Sequence, residues 1–138
     1  MKIVYSKHQS LQELKLPETL LVKKVVPRKR LIINKGNYYY ILRIKEVAFF
    51  QRIDNRLMAV DFNQKQHFID LKMKSLESEL EQDTFFRVNR QFIININSIA
   101  RFEPYFNGRL IVKTNPKSEE RILISRKNVN SFKIWIDS

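Results

Sequence analysis

From residue 31 onward, short runs of β-branched and aromatic residues alternate with breaks built from Asn, Asp and Gly. A chain written this way is committed to hairpins, because each break is too short for anything but a reversal between neighbouring strands. Leu31-Ile32-Ile33 leads through Asn34-Lys35-Gly36-Asn37 into Tyr38-Tyr39-Tyr40-Ile41-Leu42. Val47 to Ile53 and Arg56 to Phe62 flank Asp54-Asn55. Gln66 to Asp70 follows as a further strand. Ile99 to Tyr105 and Arg109 to Lys113 flank Phe106-Asn107-Gly108, and Arg121 to Ile124 is the last strand. The chain has only two Gly, so Asn must supply much of the left-handed backbone in these turns.

Two stretches change period. Ile69, Met73, Leu76 and Leu80 share a helical face, and Ser75 can cap a short helix over residues 75–82. Ser125 can cap a terminal helix that buries Val129, Phe132 and Ile136, with Trp135 beside them. The expected architecture is mainly β: about nine short strands in small antiparallel sheets, with two short helices. Phe86, Phe92, Ile94, Ile96 and Ile99 are the expected core of the central stretch. Within it Asn95 is a polar residue in an apolar run, read as a buried hydrogen-bonding group that holds local backbone.

Residues 1–29 read as a tail or linker, and 30–138 as the folded domain. The tail contains one apolar run, Leu20 to Val26, ended by Pro27. No apolar run reaches membrane-span length, and Met1 to His8 has no signal-peptide pattern, so a cytoplasmic protein is expected.

The formal net charge is +12, which favours a polyanionic partner. Residues 1–30 carry eight Lys or Arg against two Glu, and residues 81–138 carry ten against six acids. The chemistry of catalysis is poorly provided for. Having no Cys removes thiolate zinc sites and Cys nucleophiles. Two Gly cannot form a phosphate loop. His8 and His67 have no metal-ligand spacing, and His67 reads as a half-exposed strand residue. Glu77, Glu79 and Glu81 lie on a wet helical face, Glu119 and Glu120 border a turn, and Ser125 has no His partner. The expectation is a protein that is not an enzyme, with no cofactor and no metal.

Three polar segments interrupt the strands: Asp54-Asn55-Arg56, Asn89-Arg90-Gln91 and Ser125-Arg126-Lys127-Asn128. Each mixes Arg or Lys with Asn. Arg can fork onto guanine and Asn can pair with adenine, so these residue types suit base reading. The same residues also suit a structural part, with Asn55, Asn89 and Asn128 as turn or cap residues and Arg90 and Arg126 as ion-pair partners.

Phe85-Phe86-Arg87-Val88-Asn89-Arg90-Gln91-Phe92-Ile93-Ile94-Asn95 resembles the central motif of the LytTR-type DNA-binding domain. Ile124-Ser125-Arg126-Lys127-Asn128-Val129 resembles its second signature, a strand that ends in Ser-Arg before the last helix. The resemblance covers about residues 30–136, including the strand at Val47 to Phe50 and the helix at Leu76 to Leu80. It implies an all-β sandwich in a bacterial transcription regulator, in which loops read successive major grooves of duplex DNA. By transfer, Asn55 or Arg56 is one base-reading position, Asn89 and Arg90 the middle one, and Arg126 or Lys127 the third. Asn89 stands where many family members have His. Arg87 and Arg109 are the expected phosphate contacts. The resemblance also implies a receiver domain or sensor-kinase pathway upstream and two copies on DNA. An RNA-binding module, with Tyr38, Tyr39 or Tyr40 as stacking platform, and a basic adaptor for an anionic partner are the competing readings.

Overall fold

The computed structural model describes residues 2–4 and 24–138. Twelve strands and two helices are found among them, against about nine strands expected from the sequence, and the first strand, Lys2–Val4, falls in the segment read as a tail or linker. β1 (Lys2–Val4) pairs antiparallel with β2 (Lys24–Val26). The remainder of the segment read as a tail or linker, up to residue 23, lies outside the described residues. Arg28, also in that segment, is attached to the domain body. Its guanidinium forks onto Glu79 at 3.0 and 3.2 Å, and its backbone N–H donates to the Glu79 carbonyl.

β3 (Arg30–Asn34) and β4 (Tyr39–Arg43) form a separate hairpin. The central sheet has five strands: β5 (Val47–Ile53), β6 (Arg56–Asp61), β7 (Gln66–Ile69), β8 (Phe85–Arg87) and β9 (Phe92–Asn95), in the order β7-β6-β5-β9-β8. A third sheet holds β10 (Ile99–Pro104), β11 (Leu110–Thr114) and β12 (Ile122–Ile124). All pairings are antiparallel. The helices are α1 (Met73–Glu79) and α2 (Val129–Ile136).

The central sheet is covered on both faces. This explains why its strands read as nearly continuous apolar runs rather than as alternations. Phe50, Leu57, Ala59 and Ile93 face Leu31, Ile33 and Leu42 of the β3–β4 hairpin and Met73 and Leu76 of α1. Phe49, Met58, Val60, Phe92 and Ile94 face Leu110, Val112, Ile122 and Ile124 of the third sheet and Phe132 of α2. Neighbours in sequence therefore divide between two cores, as the strand pleat requires. A bulge between Val47 and Phe49 breaks that alternation. Val47 and Phe50 serve one core while Ala48 and Phe49 both serve the other.

The structure corrects several sequence expectations. α1 begins two residues before Ser75, with Lys72 at its N-cap and the Leu76 N–H bonded to the Lys72 carbonyl. Burial of Met73 sets that start, and Ser75 is exposed within the helix. Ser125 does not cap α2. A 3-10 turn over Arg126–Asn128 intervenes, and Asn128 takes the N-cap position. Phe92 and Ile94 are fully buried, but Phe86 and Ile99 are half-buried at the margin of the second core, and Ile96 lies half-buried in a 3-10 turn.

His67 is buried rather than half-exposed. Its Nε2 lies 2.9 Å from Asp61 Oδ2 and its Nδ1 meets the Tyr40 hydroxyl. The ionised carboxylate can only accept, so in the neutral imidazole Nε2–H donates to Asp61 and Nδ1 accepts from Tyr40. The chain of bonds ties the outer hairpin to the central sheet.

Burial pushes the Asp61 carboxyl up, but the hydrogen bonds from His67 and from the N–H groups of Lys65 and Asn63 outweigh it. The result lies below the ordinary carboxylate value. A depressed folded value means that this stabilisation is complete above the unfolded pKa of about 3.9 and is lost as pH falls through the lower folded value. A melting series from neutral pH downward tests this. Asp61→Asn is expected to melt lower than the parent at neutral pH and to show less of the acid-induced loss.

Candidate nucleic-acid interface

The three polar segments sit on turns that the fold gathers at one end of the central sheet. The β5–β6 turn is a two-residue reversal, with Ile53 opposite Arg56. Asp54 takes a left-handed backbone (φ 54°), which Asp tolerates. Asp54, Asn55 and Arg56 are all exposed. The Arg56 guanidinium lies flat over the Phe68 ring at 3.7 Å, which restricts where it can point.

The β8–β9 loop is held from inside. Asn89 Oδ1 accepts from the N–H groups of Gln91 (2.7 Å) and Phe92 (2.9 Å), and its Nδ2 donates to the Leu123 carbonyl at 2.6 Å. Arg87 completes the frame. It donates to the carbonyls of Asn89 and Arg90 and pairs with Glu77 of α1 at 2.9 Å. Arg90 stands at the apex, exposed, and its side chain makes no hydrogen bond or ion pair among the described residues. Asn89 therefore follows the turn-residue alternative that the sequence left open. Arg87 is committed to the loop and to α1.

The third turn carries Arg126 and Lys127 outward, both exposed. Asn128 closes it with a backbone bond to Ser125, and its amide reaches toward the Val88 carbonyl at 3.4 Å. Its neighbour is the 3-10 turn over Phe106–Gly108. Gly108 has φ +72°, and a Cβ there would lie 3.1 Å from Arg126 Cδ. Arg109 is half-buried, donates to the Phe106 carbonyl, and lies 5.1 Å from the Tyr105 ring.

Cross-bonds make one surface of these turns. Arg52 N–H donates to the Gln91 carbonyl at 2.8 Å, joining the β5–β6 hairpin to the middle loop. Asn89 and Asn128 join the middle loop to the β12–α2 connection. Gln91 also bonds Glu120 at 2.6 Å. Exposed Arg52, Arg56, Arg90, Arg126 and Lys127 thus share an end of the molecule. All eight residues singled out in the sequence lie on or beside these turns. Three nearby residues, Arg52, Tyr105 and Arg121, carried no functional signal of their own, although Arg52 borders the Asp54-Asn55 reversal. The Arg121 guanidinium donates to the Tyr105 hydroxyl at 3.2 Å.

The close approach of Gly108 to Arg126 yields a direct expectation. Gly108→Ala places a side chain on left-handed backbone at a cost of about 1–2 kcal/mol and pushes the Arg126 stem away. A lower melting temperature together with weaker polyanion binding is the expected pair of results. Unchanged binding would separate the 106–108 turn from the Arg126 position.

A sequence profile described as the LytTr DNA-binding domain matches residues 37–137. The chain is 28% identical over 116 residues to the sensory transduction protein LytT of Oceanobacillus iheyensis, covering 81% of this chain and 46% of that protein. It is 25% identical over 85 residues to the transcriptional regulatory protein YpdB of Escherichia coli strain K12, covering 62% and 34%. It thus spans less than half the length of these curated relatives. Among solved structures, the LytTr DNA-binding domain of a methyl-accepting/DNA response regulator from Bacillus cereus superposes with a TM-score of 0.69 at 16% identity. That match covers 80% of this chain and 99% of the other, and establishes the shared fold.

Proposed function

Because this chain belongs to the LytTr DNA-binding domain family, we propose that it reads duplex DNA by sequence through its turns, as part of a bacterial transcription regulator. The observation that carries the reading is the joining of three Arg- and Asn-bearing turns into one exposed cationic end, by one backbone hydrogen bond from Arg52 to Gln91 and by the side-chain amides of Asn89 and Asn128. Among the described residues, α2 reaches that end only through its N-cap, Asn128, and buries Phe132 in the second core, so reading falls to side chains at turn apices. Arg90 and Arg126 are the primary base-reading residues, since a guanidinium fork matches guanine O6 and N7. Asn55, Arg56 and Lys127 contribute at the flanking turns. Asn89, with its carboxamide occupied, presents Arg90 rather than a base contact of its own. Arg87 combines a loop brace with a phosphate contact through its remaining donors, and Arg109 lies where a phosphate track passes.

Contacts from successive turns fit successive major grooves on one face of the duplex, and two copies would extend the site by one helical turn. A receiver domain or sensor-kinase pathway would supply the controlling signal. The test is in vitro selection from a random duplex pool, with a salt titration on random DNA. A steep salt dependence and one enriched motif, duplicated at about one helical turn, are expected. A steep dependence with no enriched motif reduces the interface to phosphate binding. Stronger binding of matched RNA overturns the reading.

A further inference from the structure

We infer that the outer face of the β3–β4 hairpin docks an acidic, apolar segment of a partner protein. The register places Arg30 opposite Arg43, Ile32 opposite Ile41 and Asn34 opposite Tyr39. Directly opposed residues share a face, and here it is the outward one. Ile32, Ile41 and Tyr39 are 72%, 57% and 67% exposed, while Leu31, Ile33 and Leu42 fill the core on the other side. An aliphatic pair at the centre of the two-stranded sheet and an aromatic ring at its turn end are thus exposed to water.

The charges state what the face is built for. Like charges directly opposite in a sheet repel, yet Arg30 and Arg43 have no carboxylate partner among the described residues. Lys29 and Lys45 line the same cleft, of about 410 Å³, and Glu81 is the one acid among its described lining residues. An incoming carboxylate relieves the repulsion, and the neighbouring apolar pair supplies the contact area.

Two other occupants fit less well. The basic cleft is set about 20 Å from the polar turns, because β5 runs seven residues from beside Lys45 to the Asp54 turn. The aliphatic Ile32–Ile41 pair offers a nucleic acid nothing to pair or stack with. A second copy docked by the same face brings Arg30, Ile32, Asn34, Tyr39, Ile41 and Arg43, none of them acidic.

The test titrates a synthetic peptide of alternating Leu and Glu into the full chain, followed by backbone amide shifts. Leu/Lys and Ser/Glu peptides are the controls. The expected result is shifts on β3 and β4 with the Leu/Glu peptide alone. Ile32→Ser with Ile41→Ser, and Arg30→Glu with Arg43→Glu, should each weaken binding roughly tenfold without changing DNA affinity. The charge-reversed pair should also gain affinity for the Leu/Lys peptide. Melting curves verify that each variant is folded. Equal binding of the Leu/Glu and Leu/Lys peptides overturns the inference, as do shifts confined to residues 89–91 or no shift at millimolar peptide. Self-association abolished by the Ile32/Ile41 variant would assign the face to a second copy instead.

Discussion

Asn95→Ala is expected to destabilise the chain by about 2–3 kcal/mol and to reduce DNA binding only in proportion to the unfolded fraction. Asn95 is 1% exposed. Its Nδ2 donates to the Val47 carbonyl and its Oδ1 accepts from the Asn97 N–H, both at 2.9 Å. Its own carbonyl accepts from the Ser98 hydroxyl. Val47 stands at the bulge of β5 and is fully buried. Alanine leaves that carbonyl without its side-chain donor and the Asn97 amide without its acceptor. Desolvated groups left this way cost more than a hydrogen bond gains. Chemical denaturation measures the loss. A variant with parental stability and abolished DNA binding would move Asn95 from the frame to the interface.

The second large effect is on recognition. Arg90→Ala is expected to cost about 1–3 kcal/mol on the selected site and far less on random duplex, relaxing specificity at one position. The reasoning is geometric. Arg90 projects from a loop whose backbone is bonded at both flanks, by Arg87 to the carbonyls of Asn89 and Arg90 and by Asn89 to the amides of Gln91 and Phe92. Its guanidinium therefore starts from a fixed base, and little ordering of the loop is needed when it meets a base edge. Asn89→Ala is the informative companion. It frees three backbone groups and so lowers stability as well as affinity, whereas Arg90→Ala leaves the melting temperature near parental. Equal weakening of Arg90→Ala on all sequences would make Arg90 a phosphate contact.

Hairpins at Asp54-Asn55 and Asn107-Gly108 were legible because turn chemistry is local. Left-handed backbone falls on Asp54, Gln64, Asn107, Gly36 and Gly108 among the described residues, so Asn supplies one such position and not the large share expected of it. The buried, hydrogen-bonded state of Asn95 was legible because a lone Asn between Ile94 and Ile96 has few other ways to be accommodated. Helix ends were less so. Ser75 and Ser125 are good capping residues, but burial of Met73 and the turn at Arg126–Asn128 set the true boundaries. The burial of His67 is not legible in the sequence because its partners, Tyr40 and Asp61, come from other strands.

The site divides along the same line. Which residues could read bases follows from side-chain chemistry and from the resemblance of the two motifs. Which of them are free to do so is a tertiary matter. Asn89 and Arg87 have the right chemistry, yet contacts to Leu123 and Glu77 engage them in the frame of the loop, leaving Arg87 only part of its guanidinium donors. Hairpin reversals and the cationic balance are local or additive properties, so the sequence alone determines them. The pairing of one strand's register with another's is cooperative. Only the folded chain decided that three separated turns meet at one end, and that Arg30 faces Arg43 across an exposed sheet.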